Sequence, residues 1–423
     1  MQSNLVVVEQ ILQRIRNSFS SFFRRYFNTN SLIVAIFLSI PIYLYAISEN
    51  IAILTLNFFL LFVGIYFFLY KKHSFFQTGF FLGIFWFWWI SLSFRYYNLS
   101  FLIPIIILLI GIGYGIIFWA INKLFFKFST YLWALFIVFG FDYIKPFTFD
   151  WLKFEVLFAS TFLTPIKIVM ILFILSIIFF HKKNYILALI FLIFATFIKP
   201  QEIKMPNLKI NLVSTYVPQD KKWDKNYIPI EIQNNFKYIK ESIKKHYDVV
   251  VLPESAFPLF LNLHPDLMQK LKQLSSKITI ITGALHYKNK KLYNSTYIFE
   301  NQKVTILDKH ILVPFGEYIP FPIFQKEINK IFFNGASDYD VSKNFGIFSI
   351  KNYKFINAIC YEATIKDLYK LPPPYIIAMS NMAWFMPSIA PIIQKLLIKS
   401  YASKYKKIVF HSLNGYKSYV IKE

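Results

Sequence analysis

Phe355-Ile356-Asn357-Ala358-Ile359-Cys360-Tyr361-Glu362 is a hydrophobic, strand-forming run that ends on a thiol and a carboxylate. Two other stretches have the same build. Val249-Val250-Val251-Leu252-Pro253-Glu254 ends on a carboxylate, and Leu307-Asp308-Lys309-His310 follows a strand and ends on an ammonium. Proline ends ladder pairing, so Glu254 should project from the carboxyl edge of its strand. Ligand sites of α/β sheets collect at such edges. Three reactive groups at three strand ends are thus able to share one site, which their spacing permits without requiring.

The pattern around these runs is that of an α/β domain. Lys209–Val213, Ile278–Thr282, Thr296–Phe299, Ile347–Ile350 and Tyr375–Met379 read as further strands. Ile230–His246 reads as a helix with Phe236, Ile239 and Ile243 on one face, and Asp266–Leu274 as another. Alternating strands and helices argue for packed layers, and the domain is placed at 205–423.

Up to about Pro200 the character is different. Hydrophobic residues make up 56% of the 423 residues and aromatics 20%, and the excess lies in apolar blocks, most near the ~20 residues needed to cross a bilayer and the fifth and seventh shorter. The blocks are Ser31–Ile47, Ile51–Tyr70, Ser74–Phe94, Phe101–Ile121, Tyr131–Ile144, Phe158–Phe180 and Tyr185–Ile198. Residues 1–204 thus predict a polytopic α-helical membrane domain of about seven spans. Before it lies an amphipathic, cytoplasmic segment bearing Arg14, Arg16, Arg24 and Arg25, with no signal-peptide cleavage pattern. Lys71-Lys72, Lys123 with Lys127, and Lys182-Lys183 fall in every second connection. By the positive-inside rule these face the cytoplasm, and an odd number of spans leaves the α/β domain outside. Trp86, Trp88 and Trp89 are expected as an interfacial belt. Lys167 is the main charge within a predicted span. Midplane polar or broken helices, which mark transporters, are not evident.

Lys and Arg number 46 against 22 Asp and Glu, a net charge of +24. No nucleic-acid motif accompanies the lysines, so no nucleic-acid partner is expected. A basic surface beside anionic headgroups gains about 1 kcal/mol per lysine, which fits a domain held at a membrane. One cysteine excludes an internal disulfide and a cysteine-based zinc cage.

A solitary cysteine is ordinarily a small buried hydrophobe, and Glu254 or Lys309 alone reads as a surface charge. Together they supply what thiol acyl transfer needs. A carboxylate takes the thiol proton, the sulfur attacks a carbonyl, and an ammonium stabilises the oxyanion.

Leu-Pro-Glu254, then Lys309-His310-Ile311-Leu312-Val313-Pro314-Phe315-Gly316-Glu317-Tyr318-Ile319-Pro320, then Ile-Cys360-Tyr361-Glu362 resemble the Glu–Lys–Cys triad of the nitrilase superfamily. The long run from Lys309 and the multi-span first half resemble the apolipoprotein N-acyltransferase family in particular. The resemblance implies an αββα sandwich. It also implies a ping-pong reaction without cofactor or metal. An acyl chain passes from a phospholipid, typically phosphatidylethanolamine, through a Cys360 thioester to the amine of a diacylglyceryl-cysteine apolipoprotein at the bacterial inner membrane. Glu254 is then general base and acid, Lys309 the oxyanion partner and Glu317 a supporting carboxylate. Trp223, Tyr361, Glu362, Trp384 and Phe385 shape or gate the substrate site, and the catalytic domain is periplasmic.

Departures from the family pattern cluster late in the chain. Met382 stands for an aspartate in Ser380-Asn381-Met382-Ala383-Trp384-Phe385, Ala390-Pro391 for a Gly-Pro pair, and Ala402-Ser403-Lys404 for Ala-x-Glu. The resemblance also implies more strands and a last membrane helix beyond Asn414-Gly415, whereas the sequence ends at Glu423. A different closure, a shortened chain and completion by another polypeptide are all open. Two rival functions share these residues: a membrane-tethered amidase or nitrilase that resolves the thioester with water, and a noncatalytic membrane scaffold.

Overall fold

Asn28, Asn50, Ser74, Ser129 and Asn184 each cap the start of an apolar helix by accepting a backbone N–H into the side chain, which fixes where the helices begin. The computed structural model describes residues 28–126, 129–146, 149–314, 316–319 and 339–422. The segment with Arg14, Arg16, Arg24 and Arg25 lies outside the described residues, as do Lys127, Phe315 and Pro320.

The first half is helical: α1 (Thr29–Ile47), α2 (Ile51–Tyr70), α3 (Phe75–Phe87), α4 (Ile103–Ile121), α5 (Thr130–Phe139), α6 (Phe154–Ala159), α7 (Lys167–His181) and α8 (Tyr185–Phe197). Helix α3 tightens into a 3₁₀ segment, Trp88–Tyr97. Four apolar helices are long enough to cross a bilayer (Thr29–Ile47, Ile51–Tyr70, Phe75–Tyr97 and Ser100–Leu124), and Thr130–Tyr143, Lys167–His181 and Tyr185–Phe197 are shorter. Helices α3 and α4 approach closely because Gly79 and Gly83 receive Tyr114 and Phe118, while Gly111 and Gly115 receive Phe80 and Phe76. A Cβ on Gly79 would lie 2.5 Å from the Tyr114 carbonyl oxygen. Such small-residue spacing is how helices pack in lipid. Leu108, Leu109, Ile116 and Trp119 on α4, and Leu189, Ile193 and Phe194 on α8, remain exposed, as a lipid-facing surface requires.

Two expectations change here. The sixth span does not run from Phe158. Helix α6 stops at Ala159, and α7 starts at Lys167, after Thr164-Pro165. The residue before a proline is disfavoured in a helix. Lys167 consequently sits at a helix end, ion-paired with Glu155 and Asp142. Trp86 and Trp89 are not a lipid-facing belt but buried in the protein. The Trp86 indole donates to Ser39 Oγ at 3.1 Å, and the Trp89 indole to the Trp86 carbonyl at 2.7 Å.

The second half contains two six-stranded sheets. The first runs β1 (Ile210–Leu212), β3 (Val249–Val251), β5 (Thr279–Lys288), β6 (Lys291–Glu300), β7 (Lys303–Asp308), with β4 (Phe257–Phe260) beside β5. The second runs β12 (Tyr419–Lys422), β11 (Ile408–Asn414), β10 (Tyr375–Asn381), β9 (Tyr353–Ile359), β8 (Ile347–Ile350), with β2 (Ser214–Thr215) beside β11. Beyond Asn414-Gly415, β12 turns back antiparallel to β11 and forms that sheet's edge.

Alternation along the strands decides the layers. Val249, Val251, Ile281, Ile298, Phe355, Ile377, Met379 and Phe410 meet between the sheets. On the outer face of the first sheet, Val250, Ile280, Tyr297 and Phe299 pack with Ile239 of α10 (Ile228–Lys244) and Leu271 of α11 (Pro265–Leu274). On the outer face of the second, Ile356, Ala358, Ile376 and Val409 pack with Ile393 and Leu397 of α13 (Ala390–Tyr405). The predicted αββα order is therefore present. The third of these clusters is continuous with the core of the membrane helices.

The connections of the membrane half divide between two faces. Glu49 pairs with Lys395 of α13, Arg95 donates to the Met386 carbonyl at 2.6 Å, and Asp142 pairs with Lys366. On the opposite face Asn30 donates to the Lys72 carbonyl, and the Tyr70 ring stacks on His181 at 3.6 Å.

Candidate active site

Glu254, Lys309 and Cys360, which their spacing left free to share one site, come together. Glu254 follows β3 in a turn that packs on β5. A Cβ on Gly283 would lie 2.4 Å from the Ser255 nitrogen and 2.7 Å from the Glu254 Cα, so only glycine permits this approach. Lys309 follows β7 and is fully buried. Its backbone N–H donates to the Asn294 carbonyl at 2.9 Å. Cys360 follows β9 with φ +55°, a left-handed conformation that a non-glycine residue holds only where its surroundings enforce it.

The charges are tightly partnered. Lys309 Nζ lies 2.6 Å from Glu317 Oε2 and 4.0 Å from Glu254 Oε1. Asn294 Nδ2 donates to Glu254 Oε1 at 2.8 Å and to Glu317 Oε1 at 2.9 Å. The Asn381 backbone N–H donates to Glu254 Oε2 at 2.8 Å, and that of Val313 to Glu317 Oε2 at 2.9 Å. Asn381 is held in turn: its Nδ2 donates to Gln219 Oε1, and its Oδ1 accepts from Asn414 Nδ2.

Burial pushes the Cys360 thiol above its usual pKa. Glu254 adds to that rise through its charge and a hydrogen bond, and Lys309 opposes it. Burial would lower Lys309, but Glu317 first and then Glu254 outweigh it and raise the ammonium above the ordinary lysine value. Burial and Glu254 thus favour the thiol over the thiolate at Cys360, while the neighbouring carboxylates favour the ammonium of Lys309. A thiol whose proton has a carboxylate within reach can attack a carbonyl as the proton leaves.

The flanking residues divide by role. Both oxygens of buried Glu362 accept backbone N–H groups: Oε1 from His310 at 2.7 Å and Ile311 at 3.1 Å, Oε2 from Ile359 at 2.7 Å. Glu362 thereby joins the Lys309 segment to the Cys360 turn. Burial raises its pKa, with Lys309 and these donors opposing. Tyr361 is buried, its ring parallel to that of Phe149 at 6.5 Å. Trp384 stacks on Tyr97 at 5.9 Å and meets Tyr96 edge-on at 5.4 Å, while Phe385 meets Trp89 edge-on at 4.9 Å. The 3₁₀ segment after α3 is therefore bound to the turn after β10. Trp223 is exposed at the end of α9 (Gln219–Lys222), whose first residue holds Asn381.

The sequence reading passed over Asn294, Gln219, Asn414 and Tyr339. Tyr339 lies beside Glu317, Glu254 and Lys309: burial raises its phenol, and Glu317 and Glu254 raise it further. Asn294, Asn381 and Asn414 occupy inward positions of strands, where an apolar residue is the rule. That interruption was the available signal.

A membrane helical domain carrying a nitrilase-type αββα domain with Glu, Lys and Cys at three strand ends defines a membrane-anchored member of the carbon–nitrogen hydrolase superfamily. Residues 25–198 match the apolipoprotein N-acyltransferase integral membrane domain, and residues 217–404 match the carbon-nitrogen hydrolase domain. The apolipoprotein N-acyltransferase of Wolinella succinogenes is 38% identical over 360 residues, covering 83% of this chain and 85% of that protein. Those of Campylobacter jejuni and Helicobacter pylori are each 37% identical, covering 95% and 93% of this chain and 92% and 96% of theirs. The chain belongs to the apolipoprotein N-acyltransferase family.

Proposed function

We propose that the protein N-acylates apolipoproteins by a two-step, ping-pong transfer through Cys360. The observation that carries this reading is the Cys360 thiol beside Glu254, with Lys309 buried against both Glu254 and Glu317. In the first step sulfur attacks the sn-1 ester carbonyl of a phospholipid, typically phosphatidylethanolamine, while Glu254 takes the thiol proton. Lys309 faces the oxyanion. Glu254 then returns the proton to the departing glycerol oxygen, leaving a thioester and a lysophospholipid. In the second step the amine of a diacylglyceryl-cysteine terminus attacks the thioester. Glu254 takes the amine proton, and the thiol is restored. Glu317 keeps Lys309 charged and in place. Trp384, Phe385 and Trp223 border the lipid entrance, Tyr361 backs the nucleophile from the core, and Glu362 fixes its turn.

Both substrates lie in the bilayer, which accounts for an α/β domain fused to membrane helices. Seven crossings, the three shorter helices included, carry the chain from the cytoplasm to the periplasm. The distribution of charge supports that direction. Lys71, Lys72, Lys182 and Lys183 are on the face opposite the catalytic domain, and Glu49 is on the catalytic face. Expression in a bacterium depleted of its own apolipoprotein N-acyltransferase tests the reading. Growth and triacylated lipoprotein should return with the intact chain and be lost with Cys360→Ala. Rescue by Cys360→Ala would refute it.

A further inference from the structure

At the seam between the two domains, away from the triad, one carboxylate gathers four lysines. Asp142, in the 3₁₀ turn Gly140–Tyr143 that follows α5, lies within 3.3–3.8 Å of Lys153, Lys167, Lys366 and Lys404. Lys153 has a second carboxylate, Asp150, at 2.9 Å, and Lys167 has Glu155. Four ammonium groups thus face three carboxylates, a surplus of one positive charge (4 − 3 = +1). The surplus is on the open side: the Lys404 side chain is 30% exposed and that of Lys366 23%, against 1% for Lys153. Burial, together with repulsion from Lys366 and Lys167, holds the Lys404 ammonium below its usual pKa despite Asp142.

Depth in the membrane decides which anion would meet this surplus. Asp142 and Lys167 are at the ends of apolar helices, on the face that meets the catalytic domain. Lys366 opens α12 (Lys366–Tyr369), the helix after the Cys360 turn, and Lys404 is in the last turn of α13. Lys366 and Lys404, both partly exposed beside Asp142, are therefore at headgroup level, where the abundant anion is a phosphodiester. Two lysine ammonium groups suit such a group as point charges, and one phosphodiester cancels the surplus charge.

We propose that Lys366 and Lys404 bind the phosphodiester of a phospholipid at the domain seam, a site separate from the Cys360 thiol. The inference rests on the reading that the catalytic domain sits on the bilayer surface. It does not rest on the acyl-transfer chemistry.

The test uses the full chain in an uncharged detergent, titrated with phosphatidylglycerol and followed by native mass spectrometry. Wild type, Lys404→Arg and Cys360→Ala should retain the first lipid adduct equally. Lys366→Gln/Lys404→Gln should weaken it about tenfold or more, with an unchanged melting temperature showing that the fold persists. Diacylglycerol, which lacks phosphate, should not form the adduct. Equal retention by the double variant or equal binding of diacylglycerol would overturn the proposal. So would displacement of the lipid by millimolar inorganic phosphate, which would make this a site for soluble anions. Failure of N-acylation with the adduct intact would instead count against the proposed function alone.

Discussion

Lys309 is closer to Glu317, at 2.6 Å, than to Glu254, at 4.0 Å. The lysine therefore has its own carboxylate, and Glu254 keeps the longer approach. One carboxylate holds the ammonium, and in the proposed reaction the other exchanges a proton with the thiol. Asn294 spans the two and sets their separation.

Replacing Glu317 by Gln keeps the shape and removes the charge that holds Lys309. Acyl transfer should fall by roughly 10–100-fold, chiefly in kcat, because the lost interaction orients a group used in the transition state. Steady-state kinetics with a diacylglyceryl-peptide acceptor measures this. A change confined to KM would place Glu317 on substrate binding instead.

Asn294→Ala removes both amide donors at once. Glu254 and Glu317 then lose a shared partner in a buried site, where an unmade hydrogen bond costs about 1–3 kcal/mol. Activity should drop by about 10–100-fold, more than for substitution of an exposed residue such as Lys237 on α10. A rate close to wild type would mean that Asn381 alone positions the base.

The thiol is raised first by burial and then by Glu254. A raised pKa means that less thiolate is present at a given pH, so iodoacetamide should alkylate Cys360 slowly near neutrality and faster as pH rises. Glu254→Gln removes a negative charge that favours the protonated thiol. Alkylation at fixed pH should then quicken while acyl transfer collapses. Slower alkylation in this variant would show that Glu254 sustains a thiolate rather than accepting a proton during attack.

His411 is fully buried between Ser380 Oγ at 2.7 Å and the Tyr419 hydroxyl at 2.9 Å, and burial lowers its pKa from 6.5 to about 3. Between those values the unfolded chain binds a proton that the folded chain refuses. Stability therefore rises with pH across this window and is lost as pH falls through it. His411→Gln should flatten that part of the profile in thermal melts from pH 7 to pH 4. An unchanged slope would assign acid sensitivity to other groups.

Much of this architecture is visible in local sequence. Ile347–Ile350 is a strand with the predicted limits, and Phe355–Ile359 and Tyr375–Met379 fall within observed strands, because β-branched runs bounded by turns leave few alternatives. Helix α13 and strand β11 went unread. Twelve residues of α13, from Ala390 to Ser403, are buried, so no exposed face gives it a helical period. The break at Thr164-Pro165 was hidden inside an apolar stretch that hydropathy alone could not divide.

The site followed the same rule. Glu254, Lys309 and Cys360 could be singled out because each follows a strand within a motif that resembles the nitrilase triad. Asn294 and Asn414 could not, because their partners are 40 and 33 residues away in the chain, and only the pairing of distant strands brings them together. Tyr96 and Tyr97 meet Trp384 through contact between the two domains, which no local pattern encodes.

The central claim is that Cys360 carries the acyl chain. Incubating the intact protein with phosphatidylethanolamine labelled in its sn-1 chain, without acceptor, should yield a hydroxylamine-labile adduct of one acyl mass on the Cys360 peptide. Adding a diacylglyceryl-cysteine peptide should discharge that adduct into an amide on the peptide amine. Transfer by Cys360→Ala, or transfer by wild type with no adduct formed before acceptor is added, would contradict the account.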